Sequence, residues 1–352
     1  MIQIDGNFEG RGGGQILRTA LALSTLFQVP CKVINIRKGM DNPGLKSQHL
    51  FCIKALQQIS NAKVDGDTLG SESILFIPNK LTGSKISIDI GTAGSVTLVL
   101  QSLLIPCIFS DKPTKIEITG GTDVQWAPQI DYLREIILPI FEKYTENIEL
   151  NIEKRGYYPK GNGKITLKIK PKYTLETIKQ SQKLNLVDQG TILQIKGISH
   201  ASSDLQNAEV AERQSKSVKE ALKSFNIPIN LTNSYVKTES VGSGITLWAI
   251  FTNEKQEIGY KDQIRLGSDS LGERSKTAEQ VGKEAALNLI EEISSKAAVD
   301  RHLADNIIPL LALVKGQIKT SKITDHTLTN IYAVEQFLGK TFKIENNLIQ
   351  TI

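Results

Sequence analysis

A short strand that runs into a cluster of glycines and then into an apolar helix leaves a chain few ways to fold. Ile2-Gln3-Ile4-Asp5 reads as that strand. The loop Gly6-Asn7-Phe8-Glu9-Gly10-Arg11-Gly12-Gly13-Gly14 follows, and Gln15-Ile16-Leu17-Arg18-Thr19-Ala20-Leu21-Ala22-Leu23 reads as helix. Such a loop lets the backbone approach a phosphate while the helix start faces it with free N–H donors, or it is a plain flexible turn. It matches neither G-x-G-x-x-G nor the P-loop, because no Gly-Lys-Ser/Thr closes it. Arg18 shares a helix face with Gln15 and Ala22. It either forks onto a phosphate or sits solvated on the surface. A fainter copy comes at Gly91-Thr92-Ala93-Gly94-Ser95, where small residues again precede an apolar helix, Val96-Thr97-Leu98-Val99-Leu100-Gln101. Two occurrences imply several copies of one strand–helix unit.

The rest of the chain follows that alternation. Residues 33–37 read as a strand, and 45–59 as a helix carrying Lys46, Gln48 and a structural His49. Residues 73–90 alternate as two strands about the turn Thr82-Gly83-Ser84. Residues 115–119 form a strand and 130–144 a helix. The run Arg155-Gly156-Tyr157-Tyr158-Pro159-Lys160-Gly161-Asn162-Gly163-Lys164-Ile165 mixes basic and aromatic residues with glycines. It can stack bases and hold phosphates, or simply close a hairpin. From about Asn185 the texture shifts: a strand over 187–198, a charged helix over 206–225 and a hairpin of strands over 231–251. Ser199-His200-Ala201 is expected at a surface turn, and 267–273 as a polar, flexible return to a helix over 275–297. The 352 residues exceed what one core covers. The expected organisation is a large domain, 1–183 with 269–352, into which 184–268 is inserted as a small one.

Near the C-terminus, Ser321-Lys322-Ile323-Thr324-Asp325-His326-Thr327 precedes apolar residues at helical spacing, Ile331, Ala333, Val334, Phe337 and Leu338. His326 therefore lies at a helix start, which attracts anions. A histidine beside an anion site is suited to attack phosphorus or act as a base; at such a place it can also be a cap or a surface residue. His302 and Asp305 share a face of a preceding helix. Asp305 could bond a ribose or an adenine edge, or cap and pair locally.

Composition excludes more than it assigns. Hydrophobic content of 40% and charged content of 22% are those of a globular chain. The net charge of +5 and pI near 8.9 permit a polyanionic partner. Cys31, Cys52 and Cys107 are too scattered for a disulfide framework or metal cage and are expected as packed thiols in a reducing compartment. Gln101 and Pro106 interrupt the apolar run 96–109, which is expected as a buried helix and not a membrane span. With no charged-then-apolar leader, a cytoplasmic location is expected.

Taken together, the chain resembles the RNA 3′-terminal phosphate cyclases over nearly its whole length. The resemblance rests on Gly12-Gly13-Gly14-Gln15-Ile16-Leu17-Arg18, Pro43-Gly44-Leu45 with Gln48-His49-Leu50, and Gly94-Ser95 with Thr97-Leu98-Val99-Leu100-Gln101. Gly120-Gly121-Thr122-Asp123, the run Arg155 to Gly163, Leu303-Ala304-Asp305 and His326 with Leu328-Thr329-Asn330 complete it. The resemblance implies an α/β (α+β) fold, a large domain of repeated βαβαββ units with a smaller inserted α/β domain. It implies an enzyme of the ligase class that uses ATP and a divalent metal (Mg or Mn). ATP adenylates a histidine, AMP passes to an RNA 3′-phosphate, and the neighbouring 2′-OH closes a 2′,3′-cyclic phosphate, releasing AMP. Carried over by position, His326 matches the nucleophile, and Gln101, Pro128, His302, Asp305 and Asn306 match ATP contacts. Arg18, Arg37 and Gln48 match phosphate- or RNA-end-binding positions, and Glu9 is the candidate metal carboxylate.

The sequence departs from that pattern in places. Arg11 stands where the family has glutamate before the three glycines, with Glu9 two residues earlier; Met40 stands where some relatives carry arginine. His302 replaces a tyrosine, Asn306 a glutamine and Asn162 a glycine. These changes are expected to alter rate, metal preference or RNA grip more than reaction type. Two other readings remain. A non-catalytic cyclase-like RNA-binding protein of ribosome biogenesis would lack the histidine that His326 supplies. An enolpyruvyl-type transferase would share the repeat architecture and lack it too.

Overall fold

The computed structural model describes residues 1–81, 85–252 and 263–352. The expected turn Thr82-Gly83-Ser84 lies outside these. The first unit runs β1 (Ile2–Asp5), α1 (Gly14–Phe27), β2 (Cys31–Ile34), α2 (Ser47–Ser60), β3 (Lys63–Asp65) and β4 (Ile74–Ile77). The second runs β5 (Lys85–Asp89), α3 (Val96–Ile108), β6 (Thr114–Gly120), then a helix made of α4 (Ile130–Tyr132), a π turn (Leu133–Ile137) and α5 (Leu138–Glu142), then β7 (Thr145–Lys154) and β8 (Gly163–Pro171). The third begins with β9 (Leu184–Leu186) and is interrupted by β10 (Thr191–Ser202), α6 (Val210–Ala221), β11 (Ile229–Val236), β12 (Ser243–Thr252), β13 (Ile264–Leu271) and α7 (Ala278–Ser294). It resumes with α8 (Arg301–Val314), β14 (Gly316–Lys319), α9 (Asp325–Leu338), β15 (Phe342–Glu345) and β16 (Leu348–Thr351).

Each unit is βαβαββ, and each sheet repeats one pattern. The sheet orders are β1-β2-β4-β3, β5-β6-β8-β7 and β9-β14-β16-β15. In all three the first two strands are parallel and the others antiparallel. The parallel pair forces a crossover helix between its strands. The interruption forms a fourth sheet, β11-β10-β12-β13.

The helices α1 and α3 lie in the interior. From Gln15 to Leu26 every α1 residue is buried, as are all of α3 except Gln101. A helix apolar nearly all round belongs inside a core, and here the three units close around both. That is why Arg18, on the least apolar face of α1, is buried instead of solvated.

Several boundaries differ from the sequence reading. The strand expected over 33–37 ends at Ile34, because Asn35 and Arg37 take positive φ (53° and 54°). The strands flanking 82–84 join different sheets and are no hairpin. Likewise β11 and β12 do not pair; β10 lies between them. The stretch 267–273, expected as a flexible return, contributes to β13. Two of its polar residues are tolerated inside because they find partners: Ser268 Oγ donates to the Ala285 carbonyl at 2.7 Å, and Asp269 accepts the Gln129 N–H at 3.1 Å. The second hydrophobic core spans Ile195 to Ile293 and includes α7, while β9 hydrogen-bonds β14 of the large unit. Among the described residues, no helix is long and apolar enough to cross a membrane.

Candidate active site

The loop after β1 is drawn down onto the start of α1 by close packing. A side chain at Gly14 would put its Cβ 2.3 Å from His49 Nε2 and 2.8 Å from an Arg18 nitrogen, so only glycine lets the loop meet these groups. His49 is buried at the start of α2, where its Nδ1 accepts the Lys46 N–H at 2.9 Å. Burial, then Arg18, Arg37 and Lys46, push its pKa down to about 3. The imidazole is thus neutral and carries its proton on Nε2, facing Gly14. Arg37 braces the loop 42–44 by donating to the Asn42 and Gly44 carbonyls at 2.5 and 3.3 Å. Gln48, beside His49, is half-buried.

Arg18 is 6% exposed and its partners are amides. It donates to Gln15 Oε1 at 2.6 Å and to Gln101 Oε1 at 3.0 Å. Among the described residues no carboxylate forms an ion pair with it, and burial pushes its pKa down. Uncompensated charge in a core is costly, by several kcal/mol for an isolated ion after relaxation, ~3–5 when a partner is removed. The bonds continue outward: Gln101 Nε2 donates to Asn306 Oδ1 at 2.9 Å, and Asn306 Nδ2 to the His302 carbonyl at 2.7 Å. On the other side Gln15 Nε2 donates to Asn330 Oδ1 at 3.0 Å, and Thr19 bonds the same oxygen. A cavity of about 20 Å³, room for one water, is lined by Gln15, Thr19, Gln101, Asp305 and Asn306.

His326 is exposed in the first turn of α9. That turn is fastened by Asp305 on α8, whose Oδ1 accepts from Thr324 Oγ1 at 2.5 Å and Thr327 Oγ1 at 2.7 Å. Its backbone carbonyl accepts from Asn330 at 2.6 Å. Burial raises the Asp305 pKa against the lowering pull of those hydroxyls. His302 is exposed one turn from Asp305, with its ring edge-on to Tyr132 at 6.4 Å. The Pro128 carbonyl accepts from Thr97 Oγ1 at 2.9 Å, one turn before Gln101. Hydrogen bonds therefore join Arg18, Gln101, Asp305 and Asn306 to the helix that bears His326, with His302 at the edge.

Two contacts hold the glycine loop against α9. Phe8 stacks on Tyr332 at 3.9 Å, and Arg11 Nε donates to Asp325 Oδ1 at 2.9 Å, next to His326. Arg11 also pairs with Glu9. Glu9 is thereby engaged by a guanidinium, and among the described residues no three His, Cys, Asp or Glu side chains converge as a metal cage. The donors around Glu9 do not fit a divalent ion.

The family model described as RNA 3′-terminal phosphate cyclase matches residues 9–344. The RNA 3′-terminal phosphate cyclase of Pyrococcus furiosus is 43% identical over 99% of this chain and 96% of its own. That of Archaeoglobus fulgidus is 41% identical over 99% of both. The chain belongs to the RNA 3′-terminal phosphate cyclase family. Among solved structures, an EPSP synthase from Acinetobacter baumannii aligns at 11% identity and a TM-score of 0.36, covering 99% of this chain and 64% of that one. That likeness is too weak to carry an argument.

In this family member, sequence reasoning missed the hydroxyls and amides that tie the helices together: Thr19, Thr324, Thr327 and Asn330. The clustering of Thr324, Thr327 and Asn330 next to His326 could have signalled those three; Thr19, on α1, carried no such signal. It also misplaced His200. Expected at a surface turn, His200 is fully buried in β10, bonded to Tyr157 Oη at 2.7 Å and Gln129 Oε1 at 2.9 Å. Burial and then Arg155 hold its pKa well below the usual histidine range. The Arg155–Gly163 run likewise divides. Arg155 is an internal strut paired with Asp123 and Asp131, and Tyr157 is buried against His200, while Tyr158 and Lys160 are exposed.

Proposed function

We propose that this protein converts an RNA 3′-terminal phosphate to a 2′,3′-cyclic phosphate at the expense of ATP, with His326 as the nucleophile. The observation that carries the reading is the buried Arg18: a guanidinium whose partners among the described residues are amides, beside a glycine loop and within one hydrogen-bonded network of the His326 helix. A phosphate entering there gains a charge-assisted, bidentate partner and relieves an uncompensated buried cation. His49 Nε2–H, the first-turn N–H groups of α1, and Arg37 and Gln48 nearby would add donors to the phosphates. Gln101, Pro128, His302, Asp305 and Asn306 would form the nucleoside side, with His302 offering an exposed ring for the adenine.

The histidine nitrogen attacks the α-phosphorus of ATP. An N–P bond forms, the bond to the β-phosphate bridge breaks, pyrophosphate leaves and the imidazole gives up its proton. An oxygen of the RNA 3′-phosphate then displaces the histidine from AMP. The 2′-OH attacks the 3′-phosphorus, losing its proton, and AMP leaves. Splitting one displacement into three keeps a good leaving group at each. Asp305, through Thr324 and Thr327, holds the turn that aims His326. Magnesium or manganese would come in on the nucleotide's own phosphates, and Glu9 is not proposed as its ligand. The division into a large repeated domain and a small inserted one, with the small one redrawn as about 187–297, and a cytoplasmic location belong to the same proposal.

The test is self-labelling. Protein incubated with α-phosphate-labelled ATP and a divalent ion, without RNA, is expected to acquire an acid-labile, alkali-stable covalent label that His326→Ala lacks. Absence of label in the unmodified protein would point to the non-catalytic RNA-binding reading.

A further inference from the structure

Trp126 is 94% exposed, more than any other large hydrophobic side chain among the described residues. It also takes φ of 65°, a left-handed backbone that bulky residues rarely adopt. A strained backbone that turns an indole fully into water gains nothing for the fold. Its neighbours say where it sits. Two residues on, the Pro128 carbonyl is bonded to Thr97 at the start of α3. Four residues further along that helix is Gln101, the partner of Arg18 and Asn306. Two residues of chain span at most ~7 Å and four helical residues ~6 Å, so Trp126 stands within roughly 20 Å of Gln101, a few nucleotides from a phosphate bound there.

The loop bearing Trp126 is joined to a second one. The Thr122 and Asp123 N–H groups both donate to the Gly156 carbonyl, at 2.9 and 3.3 Å. Two residues past Gly156 is Tyr158, 76% exposed, and Lys160 beyond it is exposed as well. The basic, aromatic character of the Arg155–Gly163 run is thus split, with Arg155 and Tyr157 used inside and Tyr158 and Lys160 left outside on the loop joined to that of Trp126.

We propose that Trp126, supported by Tyr158 and Lys160, is the platform on which unpaired bases just upstream of the RNA 3′ end stack. This rests on the reading of the protein as an RNA-end cyclase and names how it grips the strand. Aromatic faces accept any base, and an adjacent cation takes the backbone. The preference is therefore for single-stranded RNA with little sequence selectivity, and ATP contributes nothing to this contact.

The protein carries its own probe. Of its two tryptophans, Trp248 is 5% exposed, so solvent-side changes in indole fluorescence report Trp126. Titration with a short single-stranded RNA ending in a 3′-phosphate is expected to quench that emission saturably, and a blunt duplex of the same sequence to leave it unchanged. Trp126→Ala should raise the KM for RNA about tenfold or more, with Trp126→Phe restoring most of it, while self-labelling by ATP stays at the unmodified level. Absence of quenching with an unchanged KM, or equal quenching by duplex, overturns the platform. If instead no variant self-labels, the cyclase reading fails, and the quenching titration still decides whether Trp126 meets single-stranded RNA.

Discussion

Arg155 lies between the carboxylates of Asp123 and Asp131, whereas Arg18 has only the amide oxygens of Gln15 and Gln101. Both are buried to nearly the same degree, 7% and 6% exposed. Burial lowers the pKa of each. At Arg155 the two aspartates outweigh it and hold the charge above its usual range, whereas at Arg18 no carboxylate among the described residues answers. Around Arg155 the polar groups knit the inserted unit to the second repeat: Gln129 N–H donates to Asp269 at 3.1 Å, and Asp300 takes the Tyr132 hydroxyl at 2.6 Å and the Gly267 N–H at 2.9 Å. A charge neutralised by the protein itself is part of the fold. A charge left for a ligand is stability given up for binding.

Truncation should separate the two most sharply in stability. Arg155→Met leaves the buried Asp123 without its guanidinium and Asp131 with Arg134 alone, and is expected to cost ~3–5 kcal/mol, read as a lower urea midpoint. Arg18→Met removes an unanswered charge and should leave that midpoint unchanged or slightly higher. A loss at Arg18 as large as at Arg155 would break the comparison.

In activity the order reverses. Arg18→Met is expected to slow self-labelling about a hundredfold or more, the scale of removing one preorganised phosphate donor (~2.7–4 kcal/mol). Binding should show the same preference. ATP at 100 times its Kd stabilises a folded protein by about 2.7 kcal/mol, and that thermal shift should vanish in Arg18→Met.

Protons probe the same imbalance more gently. His49 sits among cations, and its pKa is about 3 when folded, against about 6.5 when unfolded. The unfolded chain therefore binds the extra proton between these values. Stability from this site is intact above pH 6.5 and falls on acidification by up to about 1.4 kcal/mol per pH unit. Glutamine at this helix position preserves the capping bond to Lys46 without titrating. His49→Gln should flatten the acid limb of a melting-temperature profile between pH 6.5 and 4, with the curves parallel above pH 7. The smallest effect belongs to Arg11. Its pairs with Glu9 and Asp325 are exposed, and such pairs contribute little. Arg11→Gln should leave the melting temperature where it is, in contrast to Arg155→Met.

Much of this was legible in advance because it is local. The strand, glycine loop and helix at 2–23 and their copy at 91–101 follow from periodicity and glycine placement, and so does the helix start at His326. What failed was what depends on non-neighbours. The strands around 82–84 look like a hairpin, yet each pairs with a strand of its own unit. Gly267–Leu271 looks like a flexible turn because its serines and Asp269 are polar, and it becomes a buried strand because partners arrive from α7 and the second repeat. His200 read as a surface group for the same reason, and Arg155 as part of a run that holds phosphates or closes a hairpin, with no sign that it pairs inside.

By itself, then, the sequence determined the repeating unit and the order of its elements, since hydrophobic period, glycine and helix capping act over a few residues. The tertiary structure alone decided which charges are answered. Whether a buried arginine meets a carboxylate or an amide depends largely on residues tens of positions away, Gln101 for Arg18 and Asp123 and Asp131 for Arg155, brought together only when the chain closes on one core.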